Sequence, residues 1–514
     1  MNAHAGRSTS LWMATAVRPI FTPLESHLQA DVCIVGAGIS GLTTAYCLQR
    51  AGRTVVVLDD GPILSGETER TTAHLASALD DRFSELERLH GTGAARLAAE
   101  SHAAAIDFIE HVAAAERIDC DFERLDGVLF EAPDQPANLL DEELAAAQRA
   151  GHVEAELRPQ LVVGEREFGR AIRFPRQAQF HPLKYLSALA TCITRDDGKI
   201  FTDTHAAKIV GGPSAHVETA KGFRVTCGAV VVATNSPVND RVTIHTKQEP
   251  YRTYVIGVAV PSGAIPPALY WDTGDPYHYV RLQRAEGGSS GEDILIVGGE
   301  DHKTGQADDA ERRYTDLEAW TRTHFPMARD VRFRWSGQVM EPVDGLAFIG
   351  RNPLDHDNVF IATGDSGQGM THGTIAGLLI TDLIAGRENP WAKLYDPSRV
   401  SLKSAKEFAT ANANVAARYA DWVTSGDVAE PREIALGSGA IVRRGLSKSA
   451  VFRDVDGSLH ACSAVCPHLG GIVTWNHAEQ TFDCPLHGSR FDRYGNVLNG
   501  PANRGLQRLP PPAP

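Results

Sequence analysis

Two short segments near the carboxyl end each place one cysteine close to one histidine, and they constrain the fold more than any other feature of the chain. The first is CPHLGG, which begins at Cys466 and includes His468, and the second is CPLHGS, which begins at Cys484 and includes His487. Four such side chains bind a metal centre only when the fold brings both loops together. Tetrahedral zinc also accepts two Cys and two His ligands, so the ligand types alone leave the metal open.

The order of these ligands favours an iron-sulfur cluster. Zinc fingers generally group Cys with Cys and His with His, whereas each loop here supplies one thiolate and one imidazole. A [2Fe-2S] cluster with two Cys on one iron and two His on the other needs two facing loops of this kind. Gly470, Gly471 and Gly488 follow the ligand pairs and allow tight turns around a cluster. The pattern resembles the Rieske family, and the resemblance covers residues 430–514.

The Rieske resemblance implies a role for each metal ligand. Cys466 and Cys484 would bind the inner iron, and His468 and His487 would bind the outer, more exposed iron. The expected cofactor of this unit is therefore a [2Fe-2S] cluster.

The residues around the ligands predict a low reduction potential. High-potential Rieske proteins carry a second cysteine in each loop, and Gly471 and Leu486 stand at those positions here, so the resemblance implies that no disulfide joins the loops. Ser489 matches the hydroxyl that bonds a bridging sulfide, but Phe491 stands where high-potential members have a tyrosine. Because a lost hydrogen bond disfavours the reduced cluster, we expect a potential of roughly −150 to 0 mV.

A second pattern, GAGISG, lies near the amino end. Its Gly36, Gly38 and Gly41 follow a buried apolar run and open a helix, and Asp59 ends the next apolar run. Such glycines allow a tight turn, close approach to a diphosphate and tight helix packing, while the acid accepts from a ribose hydroxyl. The segment therefore predicts a dinucleotide-binding βαβ unit but does not choose between FAD and NAD.

Two later segments, DGLAFIG and NVFIATGDSGQGMTHGTIAG, favour FAD. The glycine-rich stretch opens a second helix, whose amino end would favour negative charge on a reduced flavin. Together with WSGQVMEPVDG and VVVATNS, these segments resemble the D-amino acid oxidase and glycine oxidase family over residues 11–395. Only one GxGxxG is present, so NAD(P)H is not expected as the direct donor. The residues of this stretch predicted to contact FAD are Gly364, Gly367, Gly369, Met370 and Thr371.

The segment TTAHLA supplies three more predicted cofactor contacts, Thr71, Thr72 and His74. It resembles the segment that carries a covalent histidyl-FAD in dimethylglycine dehydrogenase-like members of the family. The alternative is a hydrogen-bonding loop near the isoalloxazine or the diphosphate, and the sequence leaves both open.

The sequence assigns no substrate pocket and no catalytic residue. In related oxidases an Arg pairs with a substrate carboxylate and a Tyr closes the pocket, but aromatic residues are also ordinary in strands. Amine oxidation by a flavin depends mainly on orientation and exclusion of water, so no dedicated acid or base is expected. The candidate residues in strand-like segments are Tyr251, Arg252, Tyr254, Tyr277, His278, Tyr279 and Arg281.

A chain of 514 residues exceeds the size of one hydrophobic core and predicts several domains. We expect an α/β FAD-binding domain, Rossmann-like and of the glutathione reductase type, at residues 1–400, with an inserted mixed-sheet substrate domain within about 150–335. A linker helix at 401–429 and a small all-β Rieske domain at 430–514 would follow. The terminal PPPAP is expected to fray.

The composition excludes some partners. With a net charge of −14, nucleic acid is not expected as a partner, because phosphate binding needs a clustered cationic surface. No apolar run is long enough for a membrane span, and the first 22 residues lack a leader pattern, so a soluble cytoplasmic protein is expected. The eight cysteines are scattered and lack the spacing of a disulfide framework.

These features predict an FAD-dependent dehydrogenase of an amine, an amino acid or a similar small donor. The cluster would exchange electrons singly with an external carrier, either ferredoxin-like or a quinone, in a direction that the sequence leaves open. The alternative is a non-catalytic electron-transfer or redox-sensing protein. A Rieske oxygenase would need a mononuclear iron held by two His and one carboxylate, and no convincing His pair for it is present.

Overall fold

The computed structural model describes residues 6–133, 135–164, 166–239, 243–285, 291–400, 403–445 and 447–510. The first two residues of the predicted linker helix, 401 and 402, and residues 511–514 of the tail lie outside these ranges. The helices of the described residues are α1 (Leu11–Thr15), α2 (Ile39–Arg50), α3 (Phe83–His90), α4 (Thr92–Ala115), α5 (Leu139–Ala150), α6 (Pro182–Arg195), α7 (Ala310–His324), α8 (Gly369–Ala385) and α9 (Ala405–Arg418).

Strands of the first 400 residues form two large sheets. In chain order they are β1 (Leu28–Val35), β2 (Val55–Leu58), β3 (His74–Leu75), β4 (Glu123–Phe130), β5 (Glu156–Val163), β6 (Arg166–Gln179), β7 (Lys199–Phe201), β8 (Ala206–Val210), β9 (His216–Thr219), β10 (Arg224–Val232), β11 (Gln248–Pro261), β12 (Leu269–Asp272), β13 (His278–Gln283), β14 (Glu292–Lys303), β15 (Val331–Pro342), β16 (Phe348–Arg351) and β17 (Val359–Thr363).

The first sheet has the order β16-β17-β10-β1-β2-β7, with β8 and β9 attached beside β10. Strand β1 pairs in parallel with both β2 and β10. Its residues 32–35 are all buried, as expected for a parallel strand covered on both faces. Helix α2 connects β1 to β2, so the predicted βαβ unit is present and its glycine turn lies at the carboxyl end of β1.

The second sheet has the order β15-β11-β14-β13-β12-β4-β6-β3, with β5 beside β6. It is mostly antiparallel, and helix α7 covers β11 and β14. The predicted substrate region, about 150–335, leaves out β3 and β4, which precede it, and the end of β15. It also includes β7–β10, which belong to the first sheet. The omitted strands are short or polar at one end, so the sequence did not associate them with a sheet built by residues far along the chain.

Helix α8 begins earlier than the sequence indicates. The sequence pattern predicts a helix from Thr374, whereas the structure begins it at Gly369. Glycines in its first turns hide the helical pattern, and they allow α8 to approach α2: a Cβ on Gly373 would lie 2.6 Å from Ile39 Cγ2. The helix ends at the predicted Gly386, which is left-handed with φ 69°.

Helix α9 is shorter than the predicted linker helix. It ends at Arg418 and passes into one 3₁₀ turn, Tyr419–Trp422. The residues after the helix contact the first cluster loop, residues 466–471. Tyr419 Oη donates to Leu469 O, and Trp422 Nε1 donates to Gly470 O.

Residues beyond 430 form two small antiparallel sheets, as expected for the all-β unit. One has the order β18-β19-β20-β25 and the other the order β21-β22-β23-β24. Their strands are β18 (Ser438–Arg444), β19 (Ser447–Arg453), β20 (Leu459–Ser463), β21 (Thr474–Asn476), β22 (Thr481–Asp483), β23 (Arg490–Asp492), β24 (Val497–Asn499) and β25 (Arg508–Leu509).

Within the described ranges, none of the helices combines the length and the apolar character that crossing a bilayer requires.

Candidate flavin and iron-sulfur sites

A cavity of about 260 Å³ lies where the two large sheets meet. Two glycine-rich turns line it: the first glycine turn, which contains Gly36 and Gly38, and the second glycine turn, which contains Gly364, Gly367 and Gly369. The wall continues through the turn after β2, the segment around β3 and the sheet residues Thr253, Trp271 and Tyr279. The predicted cofactor contacts that line the cavity are Gly36, Gly38, Asp59, Thr71, Thr72, His74, Gly364, Gly367, Gly369 and Met370.

The first glycine turn fits a diphosphate. Gly36 has φ 106°, and a Cβ there would lie 2.3 Å from the carbonyl oxygen of Ala233. A Cβ on Gly41 would lie 1.9 Å from Gly36 O, so Gly41 does not line the cavity but lets α2 pack against the turn. Gly38 is the N-cap of α2 and makes no side-chain cap, which leaves the positive end of the helix facing the cavity.

Asp59 stands at the end of β2, where the sequence predicts a ribose contact. Its carboxylate accepts from the N–H of Ala37 at 2.6 Å and from the N–H of Gly61 at 3.0 Å. Burial, reinforced by the nearby Asp60, raises the pKa of Asp59 to about 7. A ribose hydroxyl that donates to Asp59 would stabilise its ionised carboxylate, so Asp59 fits a contact with the adenosine part of FAD.

His74 lies on β3, and Nδ1 of its imidazole ring has a hydrogen-bond partner. Nδ1 is 3.0 Å from Thr72 Oγ1, and the ring packs edge-on against Tyr279 with centroids 5.7 Å apart. Nε2 is buried and has no hydrogen-bond partner among the described residues. Burial, followed by the charge of Arg281, lowers the pKa of His74 to about 3. A neutral imidazole therefore forms part of the cavity wall.

The second glycine turn presents the amino end of α8. Gln368 is the N-cap and makes no side-chain cap, so N–H groups of the first turn stay available to a flavin. Thr371 departs from the sequence prediction, since it does not line the cavity. Its hydroxyl lies 2.8 Å from His102 Nδ1, on the side of α8 that faces α4.

Neither arginine considered for substrate binding reaches the cavity. Arg281 is buried and donates to Ala73 O at 2.9 Å and Phe180 O at 3.1 Å. Arg252 is also buried and donates to Ser336 Oγ at 2.9 Å, near the carboxyl-terminal unit. Both arginines therefore tie segments of the fold together. Of the other strand residues considered, Tyr279 lines the cavity, while the rings of Tyr254 and His278 stack on His302 and Trp320.

Sequence reasoning missed several residues of the cavity wall. They come from distant strands and loops, and no local pattern associates them with a flavin. The carboxyl-terminal unit contributes residues 497–500, 502 and 503, which no motif in that region indicates. The other missed residues of the wall include Asp80, Thr253, Leu269, Trp271, Gln338 and Gln368.

The four predicted cluster ligands converge at the tips of two facing loops. The rings of His468 and His487 have centroids 5.1 Å apart, and Nδ1 of His487 is buried without a hydrogen-bond partner among the described residues. The thiol of Cys466 hydrogen-bonds with that of Cys484, which lowers the pKa of Cys466. Two thiols and two imidazoles in one pocket, one imidazole nitrogen left unused, fit a cluster.

The two loops supply the ligand types and the number that a [2Fe-2S] cluster needs. Such a cluster takes two protein ligands on each iron, and the loops bring two thiols and two imidazoles. A Cβ on Gly471 would lie 2.6 Å from Leu486 Cγ, and all eight cysteines are free, in agreement with loops that have no disulfide.

His245, from the loop before β11, covers part of the histidine end of the cluster site. It packs on His468 at a centroid distance of 4.8 Å and on His487 at 5.8 Å. His487 is 4% exposed and His468 is partly exposed, whereas Cys466 and Cys484 are each 2% exposed. The expectation of a more exposed outer iron stays a prediction, with His245 limiting access on the side of His487.

Buried polar contacts fix the carboxyl-terminal unit on the rest of the molecule. Glu479 forms an ion pair with Arg70 at 3.4 Å, and both side chains are fully buried. Glu479 also accepts from the N–H of Ser8 at 3.0 Å. Gln338, which lines the cavity, donates from Nε2 to the carbonyl oxygen of Gly488 at 3.0 Å. One side chain thus connects the cavity wall to the loop of His487.

Comparison with known proteins agrees with this arrangement. Residues 31–383 match the profile of the FAD dependent oxidoreductase family, and residues 424–510 match that of the Rieske [2Fe-2S] domain. The putative Rieske 2Fe-2S iron-sulfur protein YhfW of Bacillus subtilis (strain 168) is 31% identical over 502 residues, which cover 97% of each chain. Gamma-glutamylputrescine oxidoreductase of Escherichia coli (strain K12) is 28% identical over 381 residues, 71% of this chain and 86% of the relative.

Among solved structures, glycine oxidase from Geobacillus kaustophilus resembles this chain with a TM-score of 0.59 and 17% identity, covering 73% of this chain and 99% of the other. That likeness shows a shared fold. The family resemblances, the fold class and both cofactors predicted from the sequence are thereby confirmed. The chain belongs to the FAD dependent oxidoreductase family, and it is an oxidoreductase that carries FAD and a [2Fe-2S] cluster in a carboxyl-terminal Rieske domain.

Proposed function

We propose that this enzyme is a dehydrogenase that oxidises a small amine-type donor in the cavity and passes the electrons through its Rieske cluster to an external one-electron carrier, ferredoxin-like or a quinone. Oxidation of an amine to an imine removes a hydride from carbon and a proton from nitrogen. FAD supplies a two-electron acceptor for that hydride, and the cluster supplies onward transfer of single electrons.

The observation that carries this proposal is the shared wall between the two sites. Residues of β24 and the loop after it, 497–500, line the same cavity as the two glycine turns. Asn499 donates to Glu67, whose other carboxylate oxygen accepts from the N–H of Gln338 at 2.7 Å. Because the Rieske unit forms part of the wall of the flavin cavity, electron transfer between FAD and the cluster does not require a diffusional encounter of two proteins.

We assign the predicted residues to the two cofactors as part of this proposal. Gly41 would let α2 pack against the first glycine turn, and Thr371 would position α8 from the side that faces α4. The other residues would contact the cofactors directly. The assigned residues are Gly36, Gly38, Gly41, Asp59, Thr71, Thr72, His74, Gly364, Gly367, Gly369, Met370 and Thr371 for FAD, and Cys466, His468, Cys484 and His487 for the cluster.

The first cluster loop offers a path to an outside carrier. His245 covers the loop of His487, but Leu469 and Gly470 in the first loop remain partly exposed. Tyr419 and Trp422, which hold these two carbonyl groups, are 43% and 39% exposed. A carrier could therefore approach the cluster on this side without entering the cavity.

The experiment is anaerobic mixing of the purified holoprotein with candidate amines, followed by addition of a ferredoxin or a water-soluble quinone. We expect the flavin to bleach, the cluster to become reduced and the carrier then to reoxidise both. Turnover that runs equally fast on oxygen alone, with the cluster oxidised throughout, would contradict the proposed electron path. The Escherichia coli relative is named for gamma-glutamylputrescine, an amine, so amines are the first compounds to test.

A further inference from the structure

One end of the cavity is rich in carboxylates and tyrosines. We call it the acidic end and define it by Asp80, Asp81, Asp301, Tyr277 and Tyr279. Asp80 and Tyr279 line the cavity. A Cβ on Gly367 would lie 2.6 Å from Asp80 Oδ2 and 3.6 Å from Tyr277 Oη, so the second glycine turn meets these side chains. The acidic end therefore adjoins the turn assigned to the flavin.

Hydrogen bonds hold these groups in place without neutralising them. Gln368 Nε2 donates to Asp80 Oδ1 at 2.9 Å, and Ser366 Oγ donates to Asp81 Oδ2 at 2.8 Å. Tyr279 Oη lies 2.6 Å from Thr253 Oγ1. Asp301 Oδ1 is buried and has no hydrogen-bond partner among the described residues. The contacts of Asp80 and Asp81 are thus with neutral groups, whereas Asp301 has a hydrogen bond with Thr253 and is also affected by the charge of Arg313.

The cations that act on the acidic end are Arg82, on Asp81, and Arg313, on Asp301. Arg313 is held by Asp309 at 2.7 Å and by the carbonyl oxygens of Glu300 and Asp301. Burial, followed by the charge of Asp81, raises the pKa of Asp80 to about 7. Burial also raises the pKa of Asp81 to about 6, although Arg82 and Ser366 lower it. A positive charge placed beside carboxyl groups with raised pKa values stabilises their ionised form.

The cavity offers no free cation to a substrate carboxylate. Among the described lysines and arginines, only Arg70 lines it. The guanidinium of Arg70 is already used by Glu479, by Ser336 O at 2.9 Å and by Ser8. A carboxylate at the acidic end would lie beside other carboxylates, which favours its exclusion.

We propose that the substrate of this cavity is a positively charged amine that lacks a carboxylate, with its cationic group held by Asp80 beside Tyr279, the two members of the acidic end that line the cavity. Carboxylates and aromatic faces together recognise ammonium groups. The inference rests on the proposed amine dehydrogenase function and narrows its substrate class.

Three four-carbon amines test this inference on the intact holoprotein: 1,4-diaminobutane, n-butylamine and 4-aminobutanoate. They share a reacting aminomethyl group and differ in the charge at the far end, which is positive, neutral or negative. Dissociation constants come from the shift in flavin absorbance at equilibrium, and bleaching is recorded anaerobically in the same cuvette. We expect the diamine to bind about tenfold or more tightly than 4-aminobutanoate, with n-butylamine between them.

Asp80→Asn should reduce the preference for the diamine, while Asp330→Asn serves as the matched control because the side chain of Asp330 is 82% exposed. Tetramethylammonium, which has no N–H to lose, should bind competitively with the diamine. Equal or tighter binding of 4-aminobutanoate, or no binding of the diamine, overturns the inference, and neither result requires a variant to fold.

The two proposals fail in different ways. If the predicted order of binding holds but no amine bleaches the flavin, the cationic site stands and the dehydrogenase function fails. If amino acids or 4-aminobutanoate bleach the flavin and the diamine does not, the dehydrogenase function stands and the cationic substrate is wrong.

Discussion

Ser489 illustrates how one hydroxyl sets a property of the cluster. It is fully buried, accepts from the N–H of Ala502 at 3.0 Å and hydrogen-bonds toward the thiol of Cys466. Phe491, two residues on, is also buried and brings no hydroxyl. A Rieske site with one such donor instead of two stabilises its reduced form less, in keeping with the low potential expected from the sequence.

Ser489→Ala should lower the reduction potential further, because the reduced cluster loses a hydrogen bond. A loss of about 1.4 kcal/mol corresponds to ~59 mV for a one-electron couple. The measurement is an EPR-monitored redox titration, and Ser458→Ala, an exposed serine in the turn between β19 and β20, is the control. An unchanged potential in Ser489→Ala, or a wild-type potential above about +200 mV, would contradict the account.

The acidic end predicts a pH dependence. Burial raises the pKa of Asp80 to about 7 and that of Asp301 to about 6, so both carboxylates lose protons as the pH rises through this interval. The groups that face them are Asp81 and Gln368 around Asp80, and Thr253, Arg313, His278 and Glu300 around Asp301.

Binding of tetramethylammonium, whose charge does not titrate, should therefore strengthen by about tenfold between pH 5.5 and pH 8. Isothermal titration calorimetry of the holoprotein measures it. In Asp80→Asn the upper part of this rise should disappear. A flat profile in the wild type would show that the carboxylates do not meet the cation.

Residues with a local pattern could be predicted from the sequence, and residues without one could not. The cluster ligands and Gly36, Gly38 and Asp59 belong to spaced motifs whose geometry follows from chemistry. Asp80 belongs to no spaced motif, and only the pairing of β3 with β6 and the approach of the second glycine turn bring it to the cavity.

Among the elements, the pair α2 and α8 positions both glycine turns. The two helices approach closely because glycines face the contact, and a Cβ on Gly377 would lie 2.5 Å from Thr43 Cγ2 and 2.9 Å from Thr43 C. The sequence pattern identified the end of α8 at Gly386 but not its start, because glycines at a helix contact look like a loop. Tertiary packing, which a single sequence does not display, decides such positions.

Gly377→Ala should destabilise the protein by about 1–3 kcal/mol, since an added methyl group overpacks this contact and the backbone of α2 cannot move aside. Chemical unfolding followed by circular dichroism measures it. Gly93→Ala in α4 is the matched control: a Cβ there meets nothing within 4 Å, so that variant should be neutral or up to about 1 kcal/mol more stable. Equal effects in the two variants would contradict the packing argument.

At the scale of the whole molecule, a buried ionic contact holds the Rieske domain in place. Glu479 and Arg70 are fully buried, and Arg252 lies nearby. Burial alone would raise the pKa of Glu479, but Arg70 and Arg252 outweigh it and hold that pKa well below its usual range. A depressed carboxyl pKa stabilises the folded state above the unfolded pKa of about 4.3, and this stability is lost as the pH falls toward the folded value.

Glu479→Gln should cost about 3–5 kcal/mol, because it leaves buried guanidinium groups without their counter-charge. The same substitution should flatten the loss of stability between pH 5 and pH 3, which urea unfolding at several pH values measures. Glu156→Gln removes a carboxylate from a half-exposed ion pair and should cost at most about 1 kcal/mol. If the two variants lose the same stability, the interface does not depend on this contact.

The sequence predicted the two cofactor-binding units but not how they meet. Each unit has its own motif, whereas the contacts of Glu479 with Arg70, of His245 with His487 and of Gln338 with Gly488 join residues far apart in the chain. None of these residues belongs to a motif, so the shared cavity wall appears only in the folded molecule. The domain bounds at 400 and 430 remain predictions from composition.

The most direct test of the account is an anaerobic dithionite titration of the purified protein, followed by visible absorption and EPR. We expect a yellow-brown protein that takes up three electrons per chain, two in FAD and one in a [2Fe-2S] cluster with mixed Cys and His ligation. A colourless protein, or one that contains zinc and no inorganic sulfide, would contradict it.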